Sequence, residues 1–367
     1  MKVGGAVFCQ NFNEKREDHE IWAEDVKIAD QFEPLGFDSI WTVEHHFTDY
    51  TMVPDALQFL TFMAGRTRRV GFGTMVVVLP WHDPVRVAEQ FSLLDNLLQG
   101  RSLTLGLGRG AGRVEFEGFR IPMGEARERF AEAAEILRLA LSQKRFSFSG
   151  KHYQIPEMTI RPQPYSKDLT QHMYGAIVSP ETGEIMAKAG IGMLIIPQKP
   201  WADHHKDYLS YKEECAAAGF AAKRPKAGCW VYCAETEAEA RERGSIWLRN
   251  YAASALKHYE YFEPEHFKQA KGYEYHAQMA EATKAAGGFQ DVFAETQVMG
   301  TPDHCIEVLR KIRATLDADE FVGVFKYGGM PLEEAQRNLR LFAQKVLPVI
   351  QAEGDGNGDY QAAASAR

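Results

Sequence analysis

The sequence predicts an α/β chain folded as a (β/α)8 TIM barrel with insertions, and three observations lead there. Short β-rich runs alternate with segments of helical period almost from end to end, the pattern of βα units that build a parallel sheet. Eight such runs occur, at approximately 2–8, 38–43, 70–78, 102–108, 172–177, 191–196, 226–233 and 320–326, each followed by a stretch able to form a helix. The length of 367 residues exceeds a typical domain but suits one barrel.

The helices between the runs show how the sheet is covered. Val87, Phe91, Leu94 and Leu98 step at i, i+4, i+7 and i+11, as do Phe130, Ala134, Leu137 and Leu141, so each helix has one apolar stripe to lay on the sheet. Two places depart from the repeat: 144–170 holds extra short strands and a Pro-rich turn, and 258–298 is a long connection after the seventh run. Function in such barrels lies at the C-terminal strand ends, where a long loop often serves as a lid that excludes water. The stretch from Tyr259 to Asp291, rich in aromatics and charges and holding Gly287-Gly288, is therefore expected to be a mobile cover, with an oligomer contact as the competing role. A single barrel domain over 1–352 follows, and the Gly-, Ala- and polar-rich tail at 353–367 is expected to be disordered.

Composition narrows the function classes. Hydrophobic residues at 45% and charged residues at 25% are those of a globular protein, without an apolar run of the roughly 18 residues that span a bilayer. The net charge of -8 is a poor match for a phosphate backbone, so nucleic acid is not expected as a partner. The N-terminal stretch from Met1 to Phe8 runs directly into polar Gln10-Asn11 without a cleavage site, and the odd, scattered Cys9, Cys215, Cys229, Cys233 and Cys305 fit reduced thiols. The expected location is cytoplasmic. Cys229 and Cys233 are separated by three residues within a β-like run and lack a second ligand pair, so packing outweighs zinc and no metal is expected.

Candidate chemistry gathers at three strand ends. Glu44-His45-His46-Phe47-Thr48 follows the second run. Adjacent residues there project in opposite directions, so at most one of His45 and His46 serves a given centre, and a lone histidine read by itself is more often structural. The fourth run ends in Leu105-Gly106-Leu107-Gly108-Arg109-Gly110-Ala111-Gly112, where glycines let a flat or anionic ligand approach and the fork of Arg109 suits a phosphate. The run matches neither a P-loop nor the dinucleotide fingerprint. After the fifth run, Ser179-Pro180-Glu181-Thr182-Gly183 reads as a helix start, either an ordinary cap or an anion site. Two anion elements at one barrel mouth favour a phosphate-bearing cofactor, and the apolar third run around Met75-Val76 can wall a flat ring. Asp83 and Arg86 belong to a helix start at Pro84, a structural role.

Taken together, these stretches resemble the bacterial luciferase-like, flavin-dependent monooxygenases, and within them bacterial luciferase most. The matching stretches run from Gly36-Phe37-Asp38 through Trp41 and Glu44-His45-His46-Phe47-Thr48, then Val78-Leu79-Pro80, Pro84-Val85-Arg86, Leu93-Leu94-Asp95 and Gly100-Arg101. Arg109-Gly110, Ser179 with Thr182, Gly300-Thr301-Pro302 and the closing helix at Leu341-Phe342 complete them in the same order over nearly the whole chain. The resemblance implies that His45 is catalytic, that Arg109, Gly110, Ser179, Thr182 and Gly183 hold the FMN phosphate, and that Met75 and Val76 lie beneath the ring, where relatives have a non-proline cis peptide. It further implies a two-component monooxygenase that takes FMN as FMNH2 from a separate NAD(P)H:flavin reductase. It would oxidise a small, apolar substrate with O2 through a C4a-hydroperoxyflavin, as a homodimer or a heterodimer with a paralogue. In two departures, Gly108 stands where the luciferase subunit has a reactive cysteine, leaving more room near the flavin, and Lys326 replaces an acidic residue. Light emission and a long-chain aldehyde substrate are therefore not assumed. A deazaflavin-dependent oxidoreductase on the same barrel and a non-catalytic flavin-binding partner subunit are the alternative readings.

Overall fold

Parallel strands that are covered by helices bury both faces, and here nearly every residue of the parallel strands is buried. The computed structural model describes residues 1–176, 180–263, 265–286 and 293–354. Its strands are β1 (Lys2–Val7), β2 (Ser39–Thr42), β3 (Gly71–Thr74), β4 (Val77–Val78), β5 (Leu103–Gly108), β6 (Phe146–Ser149), β7 (Gln154–Met158), β8 (Met173–Ala176), β9 (Gly192–Ile195), β10 (Lys226–Cys233), β11 (Val298–Gly300) and β12 (Glu320–Val324). Eight of them, β1, β2, β3, β5, β8, β9, β10 and β12, pair in that cyclic order, all parallel, and β12 returns to β1 with Lys2 opposite Glu320. The expected (β/α)8 barrel is thus closed. The third run divides at the cis peptide Met75–Val76 into β3 and β4, the latter pairing with β5. The insertion at 144–170 contains the antiparallel hairpin β6–β7, and β11 adds a short parallel strand beside β10.

Side chains seal the floor of the barrel at the N-terminal strand ends. The Trp41 indole fits because Gly4 and Gly73 lack side chains: a Cβ on either would stand 2.8 Å or 2.4 Å from it. Its Nε1–H donates to Ser39 Oγ at 2.7 Å, and Lys226 Nζ meets Glu320 at 2.8 Å beside it, a buried pair whose charges satisfy each other. The two helix stripes are buried as expected, from Val87 to Leu98 and from Phe130 to Leu141.

The glycines of β5 answer to neighbouring strands. A Cβ on Gly106 would lie 1.7 Å from the Thr74 carbonyl oxygen, and one on Gly108 would lie 2.2 Å from Val76 Cγ2. Gly108 therefore leaves no extra room; Val76 fills it. Gly106→Ala is expected to force β3 and β5 apart and destabilise the fold by about 3 kcal/mol, measured by urea unfolding. A loss below about 0.5 kcal/mol would show that the strands separate at little cost.

Over 258–298 the described residues form helices joined by short turns. The helix Glu237–His258 ends where the segment begins, and helices Glu265–Gln269 and Glu274–Ala286 follow. Tyr261, Phe267 and Tyr273 are buried in a second apolar cluster with Val78, Trp81 and Phe116, which lays the segment over the barrel mouth. Gly287-Gly288 lies outside the described residues. So does the tail from 355 on, while Glu353 at its start pairs with Arg310 at 2.6 Å. Among the described residues no helix is long and apolar enough to cross a membrane.

Candidate active site

A cavity of about 180 Å³ opens at the C-terminal strand ends, and both His45 and Arg109 line it, with Met75, Val76 and Gly110 between them. His45 is placed by the turn after β2, where its N–H donates to Val53 O at 3.1 Å. His46 points elsewhere, its Nε2 3.0 Å from Glu44 Oε1 and its ring against Trp81 and Phe119. The two neighbours thus part, as expected. Glu44 also accepts Val78 N–H at 2.8 Å and faces His82 Nε2 at 2.7 Å. Burial would raise its carboxyl, but His46 and His82 outweigh burial and hold it below the usual range.

The central group, which the sequence reading does not single out, is Glu115. It sits on the short helix Arg113–Phe119 after β5, fully buried. Its Oε1 accepts His46 N–H at 2.9 Å and meets His45 Nδ1 at 2.9 Å, while Oε2 lies 3.4 Å from His258 Nε2. The ligand atoms of His45, Glu115 and His258 all lie within 4.8 Å of one another, near enough to share a cation. Tyr259 OH stands 3.3 Å from His45 Nε2, and Tyr50 and Tyr251 share a 2.5 Å hydrogen bond behind the ring.

This cluster makes stability depend on pH. Burial pushes the Glu115 carboxyl up, but the charges and hydrogen bonds of His45 and His258 more than reverse this, bringing it from 4.5 to about 2. Burial likewise pushes the His258 imidazole below its usual value. The unfolded chain binds more protons in both cases, so the stabilisation is present in full at neutral pH. The Glu115 share is complete above pH 4.5 and is lost as pH falls toward 2. Urea unfolding is expected to show wild type losing its advantage over Glu115→Gln below about pH 4. A gap that stays constant across that range would assign the stability to something other than the carboxylate.

Arg109 leaves β5 toward the covering segment. Its guanidinium donates to Gly272 O at 2.6 Å and lies 4.3 Å from the centre of the Tyr273 ring, whose hydroxyl donates to Gly110 O at 2.7 Å. Arg127 reaches the same carbonyl at 3.3 Å. Two guanidiniums on one oxygen concentrate positive charge at the mouth, a donor set that fits a phosphate. Gly110 has φ +79°, and a Cβ there would stand 2.9 Å from Trp81 and Val78. Helix Pro180–Lys188 begins just beyond β8, where Ala176 lines the cavity. Gly183 in it is buried, and a Cβ there would meet no described residue within 4 Å. Ser179 and the Thr182 side chain lie outside the described residues.

Other expectations resolve simply. Asp83 caps helix Pro84–Leu98, accepting from Val85 and Arg86 N–H at 3.0 Å. All five cysteines are free and buried. Lys326 does not belong to the site: its ammonium is buried against Asp25 at 2.9 Å and Glu24 at 3.4 Å on helix Asp18–Phe32.

An α/β barrel with a histidine and an arginine lining one strand-end cavity places a candidate active site where barrel enzymes keep theirs. Comparison makes this specific. The family model described as luciferase-like monooxygenase matches residues 1–319, and the chain belongs to that family. It is 27% identical over 361 residues to the alkanal monooxygenase alpha chain of Photobacterium leiognathi, covering 96% of this chain and 99% of that one. An uncharacterised protein of Sinorhizobium fredii is 38% identical over 135 residues, which span 37% of this chain and 38% of that protein. Among solved structures, monooxygenase RslO1 from Streptomyces bottropensis aligns with a TM-score of 0.77 at 29% identity over 95% of this chain and all of that one. At 19% identity and a TM-score of 0.73, the oxygenating constituent of 3,6-diketocamphane monooxygenase from Pseudomonas putida, solved with FMN, shares the fold over 95% of this chain and 98% of that one. An F420-dependent secondary alcohol dehydrogenase does so at 15% and 0.69, over 94% and 97%.

Proposed function

We propose that this chain is the oxygenase component of a two-component, FMNH2- and O2-dependent monooxygenase acting on a small apolar substrate. The supporting observation is that His45 and Arg109, just beyond the ends of β2 and β5, line one cavity. In this reading Arg109 and Gly110, assisted by Arg127 and by the helix start at Ser179, Thr182 and Gly183, hold the phosphate, while Met75 and Val76 support the ring. Bound reduced FMN supplies the electrons and the carbon at which O2 is activated. The residues supply the rest. Trp81, Tyr251, Tyr259 and Phe293 wall the cavity with rings and keep water out. His45 Nε2 faces the reacting atoms and moves a proton there. The covering segment opens to admit both ligands.

Anaerobic titration with FMNH2 and with reduced deazaflavin, followed by mixing with O2 and substrate, tests this. FMNH2 is expected to bind and give oxygenated product; tight binding of deazaflavin alone, without oxygen-dependent product, would make the chain a deazaflavin oxidoreductase. The reductase is a separate cytoplasmic protein in this reading, so the purified chain should not consume NAD(P)H unaided. For assembly we propose a dimer, homotypic or with a paralogue, through exposed Phe62, Leu93 and Leu97 on the contacting helices Ala56–Arg66 and Pro84–Leu98. Light scattering is expected to find the Leu93→Glu, Leu97→Glu double variant monomeric; an unchanged mass would move the interface elsewhere.

A further inference from the structure

Glu115 serves two imidazoles at once. Its Oε2 and His258 Nε2 are both buried and 3.4 Å apart, within ion-pair range but without a well-formed hydrogen bond to each other or to any other described group. The far side of the His258 ring is fixed, with Nδ1 2.8 Å from Thr48 Oγ1, and the ring stacks on Tyr50 with centroids 4.8 Å apart. Gly112 keeps the gap open: a Cβ there would lie 2.4 Å from Glu115 Oε2 and 3.0 Å from His258 Nε2.

An ionised carboxylate only accepts hydrogen bonds, so the nitrogens facing it carry the protons. His45 is then protonated at Nδ1 and turns the Nε2 lone pair to the cavity, toward the Tyr259 hydroxyl. His258 is protonated at Nε2, and its Nδ1 accepts from Thr48. Two donors, His46 N–H and His45 Nδ1–H, bond the carboxylate and the His258 N–H faces it at 3.4 Å, leaving His45 a single tautomer.

We propose that His258 is a positioning residue: by donating to Glu115 Oε2 it anchors the carboxylate that holds His45 with its Nε2 lone pair directed at the substrate. This rests on the reading of His45 as the proton-moving group. His258 closes the helix that leads into the covering segment, so the hydrogen-bond chain is completed when that segment is seated. The groups facing His258 are Glu115 from the helix after β5, His45, Asp49 and Tyr50 from the loop after β2, and Tyr259 beside it. Two ion pairs, Arg113 with Glu260 and Lys257 with Asp49, flank them.

Two substitutions separate positioning from packing. His258→Phe keeps a ring against Tyr50 and removes both the Thr48 hydrogen bond and the contact with Glu115; His258→Gln loses the ring but restores an N–H donor toward Glu115. Nitrogen-15 NMR of labelled histidines in the flavin-free protein reads the His45 tautomer directly, and steady-state oxygenation reads the consequence. Wild type and His258→Gln are expected to show the Nδ1–H form of His45. His258→Phe should show mixed tautomers and a kcat roughly tenfold lower, with KM little changed. Should His258→Phe fold poorly, Thr48→Val, which frees His258 Nδ1, is expected to mix the tautomers to a lesser degree. A single tautomer retained in both His258→Phe and Thr48→Val would overturn the proposal, as would disruption by His258→Gln alone. So would stoichiometric zinc binding by wild type that displaces the His45 Nδ1–H signal, which would make the trio a metal site. Because the tautomer is read without flavin, these outcomes stand apart from failure of the FMN reading, which would appear as absent oxygenation in wild type with the tautomer pattern intact.

Discussion

His45→Ala is expected to lower substrate oxygenation at least a hundredfold while leaving FMN affinity within about twofold. The ring touches the cavity through Nε2 and is held from behind at Nδ1 by Glu115 at 2.9 Å, so truncation removes the proton-moving atom and none of the phosphate-holding groups. It also strands Glu115, whose Oε1 keeps only His46 N–H, so the variant should unfold at lower urea and must be assayed well inside its folded range. Product formation with a flavin reductase, alongside equilibrium FMNH2 binding, checks it. Activity within threefold of wild type would remove His45 from the chemistry. A parallel fall in FMN affinity would make it a cofactor ligand instead. A wild-type chain with no oxygenation to lose would be the non-catalytic, flavin-binding partner.

The barrel was legible because parallel strands buried on both faces read as short apolar runs, and the intervening helices repeat a stripe such as Val87, Phe91, Leu94 and Leu98. The break between β3 and β4 leaves no periodic trace in Gly73 to Val78, and only the family resemblance pointed to the cis peptide at Met75-Val76; three-residue β11 was silent altogether. The mouth was partly legible. His45 and Arg109 announce themselves as polar groups at strand ends, whereas Glu115 hides in a charged helical stretch, Arg113 to Glu117, where a surface role is the default. The missed signal was Gly112 before it, whose empty Cβ position is what admits the carboxylate. His258 was hidden further, since its partner is 143 positions away in sequence. Lys326 shows the converse: a strand-end departure from the family pattern that seemed to bear on the substrate is instead held in an ion pair with Asp25.

Arg109→Ala is expected to weaken FMN binding by about 2 kcal/mol, roughly thirtyfold, the scale of one lost charge-assisted phosphate contact. The same side chain also ties the covering segment down, through Gly272 O and the Tyr273 ring. A weaker affinity could therefore come from a loosened cover rather than from the phosphate, and riboflavin separates the two. Lacking the phosphate, it cannot use the guanidinium as an anion clamp but still occupies the ring site beside Met75 and Val76. If Arg109 grips phosphate, Arg109→Ala should erase most of the preference for FMN over riboflavin and leave riboflavin affinity nearly unchanged. Equal losses for both ligands would place Arg109 in the cover and leave the phosphate to Arg127 and the helix start near Gly183. Arg127→Ala should cost less than Arg109→Ala, because Arg127 reaches Gly272 O only at 3.3 Å and does not line the cavity. The reverse order would exchange the roles of the two arginines.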